Sequence, residues 1–181
     1  MRRLCLLFLL IGTYCYAGER KYTVDSPDGK IQLAIIQTDA GELTYQLSVK
    51  RKQVIDASAL GFKTEDGLTF PFRGWKMGKV TRNKVNSVWK PLWGKRAVVP
   101  DKYNEMKLSF VNEAKSSDAL EVVARAYNEG VAFRYVSPQD AGSALELTTF
   151  NFAGDYTAWF YNGERHNIGP ERLTETDGER L

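Results

Sequence analysis

The sequence predicts an all-β protein built in two layers, and three observations carry that prediction. Runs alternating apolar and polar residues recur roughly every 8 to 12 residues, with Gly, Pro, Asn and Asp between them. No window sustains a 3.6-residue periodicity with caps at its ends. The third observation is the stretch from Leu120 to Pro138, which reads as two strands around Asn128-Glu129-Gly130. On the first strand Val123, Arg125 and Tyr127 share one face and Val122, Ala124 and Ala126 the other. On the second, Val131, Phe133 and Tyr135 oppose Ala132, Arg134 and Val136. Neither face is purely polar, which suits a central hairpin better than a free edge. Gly130, lacking a Cβ, is expected to take a positive φ in a three-residue loop. Pro138 ends the second strand because it has no N–H for the ladder.

The remaining elements follow the same logic. Lys21 to Val24 is a short strand, and Ser26-Pro27-Asp28-Gly29 carries the residues of a tight turn. Ile31 to Thr38 places Ile31, Leu33 and Ile35 on one face. Beyond the Asp39-Ala40-Gly41-Glu42 turn, Leu43 to Val49 alternates Leu43, Tyr45, Leu47 and Val49 with polar residues, giving a hairpin with one buried face. Lys50-Arg51-Lys52 is a solvated connector, and Gln53 to Asp56 and Leu60 to Thr64 are two further strands. Residues 65–102 are irregular: Gly and Pro punctuate them, and Val80 to Trp89 shows only broken alternation. Pairing resumes at Tyr103 to Val111, and Leu145 to Phe152 and Tyr156 to Phe160 are the last strands expected. After Tyr161 the strand pattern lapses into the polar segment from Asn162 to Glu171, and the charged tail after it offers nothing that closes a sheet, as in the front part of a longer protein.

Residues 1–17 have the form of a secretory signal peptide: Arg2 and Arg3, an apolar run from Leu4 to Ile11, and a cleavage site after Ala17. The apolar run is too short to span a bilayer. Gly12-Thr13-Tyr14 does not supply the small-residue box that a lipid anchor on Cys15 needs. Residues 18–181 then form one domain of a size that supports a core. Both cysteines, Cys5 and Cys15, leave with the leader, so disulfides and thiol chemistry are excluded from the mature chain. Loss of Arg2 and Arg3 lowers the formal charge from +3 to about +1, which gives no electrostatic case for nucleic acid.

Candidate chemistry is sparse. A single histidine, His166, excludes Cys/His metal or nucleophile sites, and no Gly-rich phosphate loop or nucleophile elbow is present. Val88-Trp89-Lys90-Pro91-Leu92-Trp93-Gly94 is the most informative loop. Trp89 and Trp93 around a proline form either a stacking platform for a sugar ring or a plug in the core or between domains. In the polar segment, Glu164 and Glu171 are hard oxygen donors suited to Ca²⁺.

Ser26-Pro27-Asp28-Gly29, Trp89-Lys90-Pro91-Leu92-Trp93-Gly94, Tyr103-Asn104-Glu105 and Tyr127 to Tyr135 together resemble the N-terminal domain of glycoside hydrolase family 97. Their order and spacing agree across nearly the whole mature chain. The resemblance implies a β-supersandwich related to the galactose mutarotase fold, preceding a catalytic (β/α)₈ barrel. It implies exo-acting, Ca²⁺-dependent α-glucosidases or α-galactosidases of the periplasm or outer surface of a Gram-negative bacterium, acting on α-linked oligosaccharides. The acid and base or nucleophile carboxylates of the family sit on the barrel, which needs roughly 250 residues. No catalytic residue is therefore assigned here, and the chain alone is expected to be inactive. One glutamate of the family's N-terminal domain helps hold the calcium. By position after the Tyr156 to Phe160 strand it is Glu171, with Glu164 the alternative. The rival from another class is a freestanding carbohydrate-binding sandwich using Trp89 and Trp93.

Overall fold

The computed structural model describes residues 19–65, 67, 69–71, 75–113, 119–137, 142–161 and 167–176. The signal-peptide assignment, Pro138, Glu164 and His166 lie outside them. Strands β1 (Arg20–Asp25), β2 (Ile31–Gln37), β3 (Leu43–Val49) and β4 (Lys52–Leu60) form an antiparallel meander in that order. Strands β5 (Phe62–Thr64) and β6 (Thr69–Phe70) pair beside it. The second meander runs β7 (Trp75–Trp89), β8 (Val99–Asn112), β9 (Ala119–Ala126) and β10 (Val131–Val136). Strand β11 (Ala144–Glu146) returns to β5, and β12 (Thr157–Tyr161) pairs with β13 (Asn167–Arg172). The only helix among the described residues is one 3₁₀ turn, Leu173–Glu175.

Period-2 alternation explains how the two meanders stack. Leu33, Ile35, Leu43 and Tyr45 from the first and Met106, Leu108, Phe110, Val122 and Ala124 from the second are buried in one core. Phe70 sits at its hub, with ring centroids 5.1 Å from Trp75, 5.3 Å from Phe110, 5.7 Å from Phe62 and 6.0 Å from Tyr135. Burial pushes the Tyr135 phenol up to about 12, and its hydroxyl is hydrogen-bonded to Thr148 Oγ1 at 3.0 Å.

The expected Leu145 to Phe152 strand becomes a seam. Beyond β11 the chain stays extended against the free edge of β4. Leu147 N–H donates to Gly61 O (2.8 Å), Thr149 N–H to Ala59 O (3.0 Å), Asp56 N–H to Asn151 O (2.7 Å) and Ala153 N–H to Val54 O (3.1 Å). Buried Ser58 locks the middle, its Oγ donating to Asp56 O and accepting from Asn151 N–H, both at 2.8 Å. The segment thereby joins β4 and β5 into one continuous edge.

Several expectations are corrected. The 120–138 hairpin exists, with Val131 opposite Ala126 and Tyr127 N–H donating to Gly130 O at 2.8 Å. Gly130 is not among the positive-φ glycines, however: the loop closes over four residues, 127–130, without a left-handed residue at that position. Strand β10 is the edge of its sheet rather than its centre. It is half-shielded because Val131, Phe133 and Tyr135 pack on the core. Val80 to Trp89 is not broken: it belongs to a 15-residue strand whose alternation fails because most of both faces is exposed or only half-buried. Gln53 to Asp56 and Leu60 resolve into one strand that ends at Leu60, with Gly61 separating it from β5. The strand pattern does not lapse throughout Asn162 to Glu171: β13 pairs with β12 around a bulge between Ala158 and Phe160.

Lys50 and Arg51 make the β3–β4 connection in two residues with φ of 50° and 67°. Primed two-residue turns require this hand, and side chains with a Cβ are strained there. Lys50→Asn combined with Arg51→Gly is expected to stabilise the protein by about 1 kcal/mol. A thermal melt should show the midpoint rising by roughly 2–4 °C; an unchanged midpoint would show the strain to be already relaxed.

Candidate functional site

The segments singled out by sequence are distributed over three places. At one corner, motifs far apart in the chain converge. The Ser26–Gly29 turn is built by Ser26 Oγ donating to Asp28 Oδ1 (2.7 Å) and Gly29 N–H donating to Ser26 O (2.9 Å), with Gly29 at φ 71°. Hydrogen bonds from Lys30 and Ser26 hold the Asp28 carboxyl down at about 2. Asp28 N–H then donates to Asn128 Oδ1 (3.0 Å), Asn104 Nδ2 to Asp25 O (2.7 Å) and an Arg82 guanidinium nitrogen to Thr23 O (3.1 Å). These bonds staple the first turn and β1 onto the second sheet. Beside them lies a cleft of about 640 Å³ lined by Asp25, Ser26, Arg82, Lys84, Asn104 and others. Sequence reasoning missed it, because its walls come from strands some 60 to 80 residues apart.

On the outer face of the same sheet, Arg125 Nε donates to Glu105 Oε2 at 2.8 Å and lies 4.3 Å from the centroid of the Tyr103 ring. Tyr103 and Tyr127 meet at 5.0 Å, and Lys107 Nζ is 3.8 Å from Glu105 Oε1. Glu105 is only 6% exposed, so its charge is spent on these partners. The Tyr103-Asn104-Glu105 and Tyr127 to Tyr135 motifs are therefore explained as structural fastenings.

The second place is the β7–β8 arm. Its strands stay in register from Val80↔Leu108 to Trp89↔Val99, and the chain turns over residues 90–98. The turn carries both tryptophans outward: Trp89 is 53% exposed, Trp93 88% and Leu92 fully. Trp89, Lys90, Pro91, Leu92 and Trp93 line a hollow of about 470 Å³. The structure thus brings Trp89 and Trp93 together at the surface and rules out the core-plug alternative.

The third place is the β12–β13 hairpin. Glu171 is half-buried on β13 opposite Ala158, on a strand rather than in the loop expected, and its side chain or backbone is engaged in further interactions. Gly169 holds the bulge at φ 125°, where a Cβ would meet Ala158 O at 2.7 Å. Arg172 pairs with Asp155 (Nε–Oδ2 3.3 Å), whose other oxygen accepts from Thr174 N–H at 3.1 Å, so the strand end is fixed. Among the described residues no group of three or more His, Cys, Asp or Glu is gathered to hold a metal. Glu171 fits a calcium site only as one contributed carboxylate, because Ca²⁺ takes six to eight oxygens. No helix among the described residues is long and apolar enough to cross a membrane.

Comparison with known proteins gives one consistent answer. Residues 24–179 match the family model described as Glycosyl-hydrolase 97 N-terminal. The chain is 22% identical, over 97% of its length, to a retaining alpha-galactosidase of Bacteroides thetaiotaomicron. It is 29% identical, over 88% of its length, to a Streptomyces bingchenggensis protein named a probable retaining alpha-galactosidase. It spans 28% and 26% of those two relatives. Among solved structures, a glycoside hydrolase family 97 enzyme from Pseudoalteromonas sp. strain K8, in complex with panose, superposes with a TM-score of 0.68 at 34% identity. That match covers 78% of this chain and 22% of the enzyme. A beta-arabinopyranosidase superposes with a TM-score of 0.65 at 27% identity, over 76% of this chain and 22% of that one. With a match over nearly all of its described residues and the same two-layer β fold, the chain belongs to the glycoside hydrolase family 97 N-terminal domains.

Proposed function

We propose that this domain serves an exo-acting α-glycosidase, bracing a catalytic (β/α)₈ barrel and lending one wall to its active-site pocket. The observation that carries the reading is the family match over residues 24–179, together with relatives about four times as long. The substrate is a terminal α-galactosyl or α-glucosyl residue of an oligosaccharide, as the relatives named α-galactosidases and the panose complex suggest. The acid and base or nucleophile carboxylates belong to the barrel. Export to the periplasm or outer surface of a Gram-negative bacterium, after removal of residues 1–17, is part of the same proposal. So is a Ca²⁺ ion held mainly by the barrel, to which this domain adds Glu171, with Glu164 as the alternative ligand.

A chimera tests this reading, with this chain replacing the matched segment of the Pseudoalteromonas enzyme. The chimera should hydrolyse a p-nitrophenyl α-glycoside, and this chain alone should not. Chelation should abolish the activity and Ca²⁺ restore it. Glu171→Gln should raise the Ca²⁺ needed for half-activity by about tenfold, and Glu164→Gln by less. The isolated chain should bind Ca²⁺ no better than millimolar, and its melting temperature should not move with Ca²⁺. Micromolar binding by the chain alone, or equal effects of the two substitutions, would refute the assignment.

The freestanding carbohydrate-binding module is favoured by one observation, the exposure of Trp89 and Trp93 around a hollow. In that reading sugar C–H faces stack on the indoles. Affinity electrophoresis on starch and galactomannan gels should then show retardation that Trp89→Ala removes.

A further inference from the structure

The β7–β8 arm is the least explained part of the molecule. Its turn exposes Val88, Trp89, Leu92, Trp93 and Val98 within eleven residues, and Trp89, Pro91, Leu92 and Trp93 share one hollow, a concentration of apolar side chains of the kind that marks an interaction site. Its tip is basic: residues 88–98 hold Lys90, Lys95 and Arg96 and no Asp or Glu, and the nearest acid along the arm is Asp101, opposite Ser87. Lys90, Lys95 and Arg96 beside the tryptophans make no salt bridge among the described residues. The register, unbroken from Val80↔Leu108 to Trp89↔Val99, makes this part of the arm a stiff mount for the tip.

We infer that the tip of the β7–β8 arm is a docking wedge for an acidic, apolar-floored groove on the catalytic part of the same polypeptide. This deepens the bracing role proposed above and rests on it. Three features choose this occupant. A neutral sugar offers no negative charge for three clustered cations to meet and no use for fully exposed Leu92 beyond the stacking rings. Protein interfaces, by contrast, combine buried Trp and Arg with a polar, solvent-accessible rim where the lysines would lie. A second copy of this chain would bring Lys90, Lys95 and Arg96 against their own equivalents, and like charges oppose that pairing. The relatives supply the partner, since roughly three quarters of their length lies outside the matched part.

The test uses the absence of cysteine from residues 18–181, which makes Leu92→Cys a unique probe at a fully exposed position. Maleimide labelling at position 92, read by peptide mass, is compared in the chain alone and in the Pseudoalteromonas chimera. We expect labelling to be at least tenfold slower in the chimera, and Lys95→Glu with Arg96→Glu to restore most of the rate. Labelling as fast in an active chimera as in the chain alone overturns the wedge while leaving the glycosidase reading intact. Protection in a chimera without activity supports the wedge and counts against that reading instead. Three other results overturn the inference: protection of the isolated chain as its own concentration rises (a second copy), by soluble α-glucan (a sugar platform), or by vesicles containing anionic lipid (a membrane contact).

Discussion

Phe70→Ala is expected to lower the stability of this domain by about 3–5 kcal/mol, the largest loss anticipated for a single side chain here. Phe70 is fully buried and its ring meets Phe62 on β5 and Trp75, Phe110 and Tyr135 on three strands of the second meander. Truncation removes the apolar area that Phe70 buries and leaves a cavity whose walls belong to four separate strands. Those walls cannot collapse together without shifting the sheets, so the cavity cost stays high. Urea titration should show the midpoint falling with the slope unchanged. Leu145→Ala, at a residue 64% exposed, should cost less than about 1 kcal/mol in the same assay. A loss for Phe70→Ala as small as that of Leu145→Ala would mean that the core closes over the gap.

Gly61→Ala should be the next most damaging change, at about 3 kcal/mol. A Cβ on Gly61 would stand 2.4 Å from the carbonyl oxygen of Phe70 and 3.1 Å from Pro71 Cδ. The nearer obstacle is backbone, pinned on one side by β5–β6 pairing and on the other by the buried Phe70 ring, so no flexible side chain can yield. Gly61 O also accepts the Leu147 N–H, so moving Gly61 disturbs the seam. Gly130→Ala is the control. Nothing lies within 4 Å of the added carbon there and the φ is not left-handed, so the change should stay within about 0.5 kcal/mol. Similar losses at the two glycines would show that the spacing around Gly61 is not rigid.

These two glycines illustrate what the sequence could and could not convey. Asn128-Glu129-Gly130 between two apolar runs does announce a hairpin, and the hairpin is there. The conformation of Gly130 depends on a loop of four residues rather than three, and loop length is not written in residue type. Gly61 reads as part of a strand from Leu60 to Thr64, and its close approach to Phe70 appears only when β6 is placed. The β2–β3 hairpin was legible to within a residue because one of its faces is buried and period 2 reports that directly. The β7–β8 arm was not, because strands without one consistently buried face have no reason to alternate. Strand β13 escaped notice because Gly169 and Pro170 resemble loop residues, whereas here Gly169 is what permits the bulge. At the candidate sites, the pairing of Trp89 with Trp93 could be read from spacing. Glu171 came from family resemblance, and the cleft between β1 and the second sheet depends on contacts that no local pattern encodes.

The seam along β4 has a consequence for synthesis. Ala59 and Thr149, which are hydrogen-bonded across it, are 90 positions apart, and Tyr45 donates to Thr149 O across 104. A ribosome adding 5–20 residues per second therefore takes roughly 5–20 s between releasing β4 and releasing the strand that covers it. During that interval β1 to β4 can assemble as a local meander, with the N–H and C=O row from Val54 to Leu60 left open. An open row of this kind pairs with whatever extended chain it meets first. The nascent chain is thus most exposed to mispairing after its first meander has formed, and pauses in translation between Leu60 and Ala144 would lengthen that period.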